Sequence, residues 1–106
     1  MAQILVDGAR NAVLKFDAAE TFDVSTLEGA PERVRIMKIW YDVGAGTDHV
    51  IEWKATVDVP AFHMSGRHFM DFTCFGGITN NAGAGVTGDF EVAGTTPFTV
   101  IVHLEK

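Results

Sequence analysis

Residues Gly83 to Gly88 read GAGVTG, the G-x-G-x-x-G spacing with which dinucleotide-binding proteins bring a helix N-terminus against a pyrophosphate. That chemistry needs a buried strand before the glycines and a helix after them. Here the polar Thr79-Asn80-Asn81 precedes them, DFEVAG reads as a strand, and only 18 residues follow Gly88. No βαβ unit fits in that space, and no Lys follows the glycines as a phosphate loop of the Walker type requires. The match is one of spacing alone. What the segment does offer is low bulk, with five glycines between Gly76 and Gly88 and two adjacent asparagines that tolerate left-handed backbone. Such a loop suits a backbone lying flat against its own sheet, a sister subunit or a larger partner.

The remaining reactive residue types are scattered. His49, His63, His68, His103 and Cys74 are the conceivable metal ligands, yet none falls in an H-x-H, H-E-x-x-H or C-x-x-C spacing. His63 and His68 flank the Met64-Ser65-Gly66 turn, where a hairpin would bring them together. Ser25 and Ser65 sit in turn-like sequence without a G-x-S-x-G elbow. Cys74, between Phe72 and Phe75, has the setting of a buried small hydrophobe and not of a thiolate. Asp17, Glu20, Asp23 and Glu28 are spread over turn and strand, without the pairing of a glycosidase or the ligand run of a calcium loop. The expectation is a protein that is no enzyme and takes no cofactor or metal. Trp40, Tyr41, Trp53 and the eight Phe would build either a sugar-stacking platform or a core, and are assigned to the core.

The elements that position these residues are short β-rich runs divided by turn chemistry, with almost no sustained helical period. Strands are predicted over Gln3–Val6, Ala12–Phe16, Thr21–Val24, Val34–Val43, Val50–Ala55, Val57–Met64, Phe69–Phe75, Asp89–Val92 and Phe98–Glu105, with turns at DGARN, LEGAP, VGAGTD, MSG and VAGTTP. That count predicts an all-β antiparallel sandwich or barrel of about eight strands. Ile51, Trp53 and Ala55 point one way and Glu52 and Lys54 the other, so that strand has one wet face and Trp53 is inside. Val34–Val43 is apolar on both stripes, with Val34, Ile36 and Trp40 against Met37, Ile39, Tyr41 and Val43. Phe98–Glu105 is partly so, because Ile101 lies on the stripe opposite Val100, Val102 and Leu104. Either these strands are central within the monomer or a neighbouring subunit covers their second face.

With 106 residues, 47% of them apolar, the chain has material for one domain and one core. The net charge of −6, from 8 Lys and Arg against 14 Asp and Glu, argues against partners held through phosphates, so nucleic acid is not expected. Arg33, Arg35 and Lys38 are the densest basic group, and Glu32 and Asp42 flank them as on a solvated mixed-charge surface. One cysteine gives no internal disulfide framework. The N-terminus has no basic n-region followed by an apolar run, and no segment approaches the roughly 18 apolar residues of a membrane helix. Synthesis in a cytosol and no membrane partner are the expectations.

The segments VDGARNAVLKF, RVRIMKIWYDV, DFTCFGGITNNAGAGVTGDFEV and FTVIVHLEK together resemble a group of small virion proteins of tailed bacteriophages. That group shares a D-G-x-R-N start, one or two Trp strands and an F-G-G…N-N-A-G-A-G-V-T-G-D block, and the resemblance covers most of the chain. It implies a β-sandwich of jelly-roll type acting as a capsid decoration or cement protein. Such a protein binds the assembled major capsid protein across subunit boundaries, as a small homo-oligomer (dimer or trimer) on the outer capsid surface of the virion. Its expected contact elements are an N-terminal arm over residues 1–11, which can extend, and the loop Gly76–Gly88, with Asp7, Arg10, Asn11, Asn80, Asn81 and Val86 as interface residues. The alternatives are a tail or neck component and a carbohydrate-binding sandwich, for which an exposed aromatic pair near acidic side chains would be the structural sign.

Overall fold

A computed structural model describes residues 2–44, 49–94 and 98–106, and it contains nine strands among them. They are β1 (Gln3–Asp7), β2 (Asn11–Phe16), β3 (Glu20–Phe22), β4 (Arg35–Asp42), β5 (His49–Trp53), β6 (Val59–Met64), β7 (Arg67–Asp71), β8 (Phe90–Ala93) and β9 (Thr99–Glu105). Residues 45–48 and 95–97, which carry much of the predicted VGAGTD and VAGTTP turns, lie outside the described residues. The strands form two antiparallel sheets, one of five strands in the order β1-β2-β9-β4-β7 and one of four in the order β3-β8-β5-β6. Pairing is nested along the chain: β5 with β6, β4 with β7, β3 with β8 and β2 with β9.

Each predicted strand is present, with ends moved where a side chain captures the backbone. The Asp23 carboxylate accepts the Ser25 N–H at 2.9 Å and turns the chain after β3 into a 3-10 turn over Val24–Thr26. Asp71 does the same for the Thr73 N–H at 2.9 Å, which ends β7 early. The Ser65-Gly66 turn leads from β6 in one sheet to β7 in the other, so His63 and His68 do not meet across a hairpin. His63 pairs with Val50 and His68 with Tyr41.

One continuous core lies between the sheets. Leu14, Phe16, Ile36, Ile39, Val100, Val102 and Leu104 of the five-stranded sheet face Ile51, Trp53, Phe90 and Val92 of the other, all fully buried. Its centre is aromatic: Phe16 meets Phe90 edge-on at 5.7 Å, Phe22 lies 6.2 Å from Phe16, and Trp53 lies 6.3 Å from Phe90. The two Phe16 contacts join the sheets with geometry that aromatic quadrupoles favour.

The two-sided apolarity of Val34–Val43 has a local cause. Ile36 pairs with Leu104 and Lys38 with His103, so Met37 is the extra residue of a β-bulge. The bulge resets the alternation, and Ile36, Ile39 and Tyr41 all face the core. Met37 is buried as well, leaving Arg35, Lys38, Trp40 and Asp42 on the outer side.

The segment expected to extend as an arm does not stand off from the body. Residues 3–7 are β1, an edge strand paired with β2. Pairing is favoured because Ala2 N–H donates to Glu20 Oε1 at 2.7 Å and Asp7 is tied at the other end of the strand.

Candidate functional site

The D-G-x-R-N start and the glycine-rich block carry the residues expected at an interface, and the structure uses most of them internally. Asp7 accepts the Glu28 N–H at 3.0 Å and the Lys106 ammonium at 2.6 Å. That ammonium also donates to the Gly8 carbonyl at 2.7 Å and the Glu28 carbonyl at 2.9 Å, so its three N–H groups are all engaged. The Lys106 N–H donates to the Arg10 carbonyl at 2.8 Å, and Asn11 Oδ1 lies 3.0 Å from His103 Nε2. Asp7, Arg10 and Asn11 therefore lash the first hairpin to the end of β9, while the Arg10 side chain remains exposed.

The Lys106 hydrogen bond, followed by that from Glu28, holds the Asp7 carboxyl below the ordinary carboxylate value. The folded form binds that proton less readily than the unfolded chain. The contribution is therefore full above about pH 4 and is lost as pH falls through the lowered value. Asp7→Asn is expected to lower the melting temperature at neutral pH, with the gap to wild type closing below about pH 4. Thermal melts across that range check it.

The block Gly76–Gly88 lies flat on its own molecule. Ile78 and Ile36 exchange backbone hydrogen bonds at 2.8 and 3.0 Å, continuing the five-stranded sheet beside β4 where β7 has ended. Further on, the Thr56 N–H donates to the Ala84 carbonyl at 3.1 Å and the Thr87 N–H to the Lys54 carbonyl at 3.3 Å, beside the other sheet. The loop thus bridges the two sheets. Gly77, Gly85 and Gly88 have φ of 89°, 77° and 86°, and a Cβ on them would meet Met37, Thr56 and Glu32 respectively. These three glycines serve close packing onto the body.

Of the block residues expected to touch a partner, Asn80 is buried, with Oδ1 accepting the Ala82 N–H at 3.0 Å and its carbonyl 3.4 Å from Arg33 Nη1. Val86 is half-buried and packs on the core. Asn81 is exposed, beside a depression of about 410 Å³ that includes Phe75 and Pro60. Cys74 is exposed, contrary to the buried position expected of it, because Thr73–Phe75 is a surface 3-10 turn.

The outer face of the five-stranded sheet carries what sequence reasoning missed. One cross-strand row runs Gln3, Lys15, Ile101, Trp40, Phe69 through all five strands. Trp40 and Phe69, 38% and 49% exposed, stack at 5.0 Å with their planes 24° apart. Both were assigned to the core, but the Met37 bulge turns Trp40 outward and the register carries Phe69 with it. On one side of the row the Arg67 guanidinium holds the Asp42 carboxylate, Nη2 to Oδ2 at 3.1 Å. On the other lie Lys38, Asp71 and His103. Burial, then the Lys38 charge, keeps the His103 imidazole below its ordinary value and neutral at pH 7. A shallow depression of about 460 Å³ lies among Trp40, Phe69, Ile101, Thr99, Asp42 and Arg67. An apolar centre with a charged rim is the anatomy of a protein contact.

Two further carboxylates hold the turn after β3. Asp23 Oδ1 accepts both the Ser25 N–H and hydroxyl, and Asp89 Oδ1 accepts the Val24 N–H at 3.3 Å. Among the described residues no three His, Cys, Asp or Glu side chains converge as metal ligands. No helix of the described residues is long and apolar enough to cross a membrane. No family model matches the chain, and no curated protein or solved structure matches it.

Proposed function

We propose that this protein is a capsid decoration protein of a tailed bacteriophage, which binds assembled major capsid protein across subunit boundaries and so cements the shell. The observation that carries the reading is the Trp40–Phe69 ridge on the outer face of the five-stranded sheet, over which no described residue forms a second layer. It joins the sequence resemblance, which is the source of the virion assignment. The nested strand pairing supports the jelly-roll form of the sandwich, since a jelly roll is a folded antiparallel ribbon closed by its outermost strands. The net charge of −6 favours the outer surface over one facing packaged DNA.

The mechanism is linkage. A contact surface shared by two capsid subunits exists only in the assembled shell, so each bound copy stabilises assembly over dissociated subunits. The expected result is binding to assembled shells and none to dissociated capsid subunits in co-sedimentation, with a copy number in purified particles within a few-fold of the major capsid protein. A handful of copies per particle would move the protein to the neck or tail. Absence from particles would overturn the reading.

The exposed aromatic pair beside Asp42 also favours a carbohydrate-binding sandwich. Its geometry suits that less well, because stacked rings hide a face on each other. Sugar recognition uses open ring faces. Hits on a glycan array that disappear in Trp40→Ala would establish that alternative.

A further inference from the structure

Four strands end the two sheets, and three of them are guarded against pairing. β3 has three residues, β6 contains Pro60 and a bulge, and β7 begins and ends in the charged Arg67 and Asp71. Short length, proline, bulges and charge are the means by which natural edges avoid a further strand. β1 differs. It is five residues long, and its outer edge pairs with no described strand. Its stretch Gln3-Ile4-Leu5-Val6 carries no charge and no proline, and the one charge, Asp7, is engaged by Lys106. The register shift between Ile4 and Val6 breaks the alternation, so Ile4, Leu5 and Val6 are 48%, 51% and 50% exposed and form a continuous aliphatic strip. The hydrogen bonds at Ala2 and Asp7 hold this strand in place before any partner arrives.

We infer that β1 pairs antiparallel with β1 of a second copy about a twofold axis, joining two five-stranded sheets into one. Backbone groups along an open edge are best met by another strand. The sequence is self-complementary in this register: Leu5 faces Leu5, Ile4 faces Val6, and Gln3 faces Asp7, so no two like charges oppose. A head-to-tail alternative would set β1 beside β7, which runs the same way because neighbouring strands alternate in direction, and would propagate without closing. The twofold arrangement closes after two copies and leaves the Trp40–Phe69 ridges of both outer faces uncovered.

The test uses the isolated protein without shells, so its result is independent of the capsid reading. Sedimentation equilibrium is expected to give twice the 11.5 kDa chain mass at high concentration. Leu5→Lys, which sets like charges on the axis, is expected to weaken association about tenfold or more with an unchanged circular dichroism spectrum. In a Cys74→Ser background, Leu5→Cys is expected to form a disulfide-linked dimer under mild oxidation, whereas Val57→Cys, at a site 78% exposed, does not. A single-chain mass at every concentration, a dimer indifferent to Leu5→Lys, or crosslinking no better at position 5 than at position 57 would overturn the inference.

Discussion

Gly88→Ala is expected to destabilise the fold by about 3 kcal/mol, whereas Gly83→Ala, in the same GAGVTG run, leaves it unchanged or slightly more stable. At Gly88 φ is +86°, where an L side chain costs about 1–2 kcal/mol, and the new methyl would overlap the Glu32 carbonyl. Moving that carbonyl strains the segment entering β4 and adds about 1–3 kcal/mol. In a domain of this size the sum lowers the melting temperature by roughly 12–24 °C. At Gly83 a Cβ meets nothing within 4 Å and φ is not in the left-handed region, so alanine only restricts the unfolded chain. A nucleotide-binding turn would reverse this order, since its first glycine is the one that makes the tight turn. Thermal denaturation of the two variants decides, and equal stabilities would refute the packing role assigned to the loop.

The second large effect concerns binding. Trp40→Ala is expected to weaken attachment to shells about 30-fold or more, the loss of about 2 kcal/mol typical of an aromatic anchor at the centre of an interface. Its cost to the isolated fold is small, about 0.5–1 kcal/mol for the cross-strand pair with Phe69, because Trp40 already lies on the outer face. Phe69→Ala should behave alike, and Val57→Ala, remote from the ridge and 78% exposed, should change neither property. Co-sedimentation at graded concentrations, with melts of each variant, separates the two effects. Full affinity in Trp40→Ala would show that the ridge is not the capsid contact.

Much of the fold was legible in the sequence because the period-2 signal is strong where a strand has one wet face. His49–Trp53 is the clear case: Ile51 and Trp53 are buried and Glu52 is half-exposed, as alternation requires. The bulge at Met37 was not legible, since one inserted residue leaves composition unchanged and shifts only the phase of the pattern. That shift produced the false impression of an apolar second stripe and hid the outward turn of Trp40. For the glycine-rich loop, low bulk signalled close approach but did not name the surface approached. Contacts with Thr56 and Glu32 depend on how β5 and β4 are placed in three dimensions, which no local spacing encodes. Asp7 and Asn11 were recognised as significant, and their partners Lys106 and His103 lie more than ninety positions away along the chain.

The position of β9 has a consequence for biosynthesis. This strand lies between β2 and β4, in the middle of the five-stranded sheet, yet it leaves the ribosome after all eight others. Until it emerges, β1 and β2 have no bridge to β4 and β7, and Leu14 and Ile39 have no Val102 between them. The four-stranded sheet can assemble earlier, but against a partner lacking its central member. Folding must then wait for β9 to emerge and close through contacts distant in sequence, the class that folds on the millisecond-to-second scale. During that interval the apolar inner faces of β2 and β4 are open to solvent and to other nascent copies, which makes this the stage at which a chaperone would be of use.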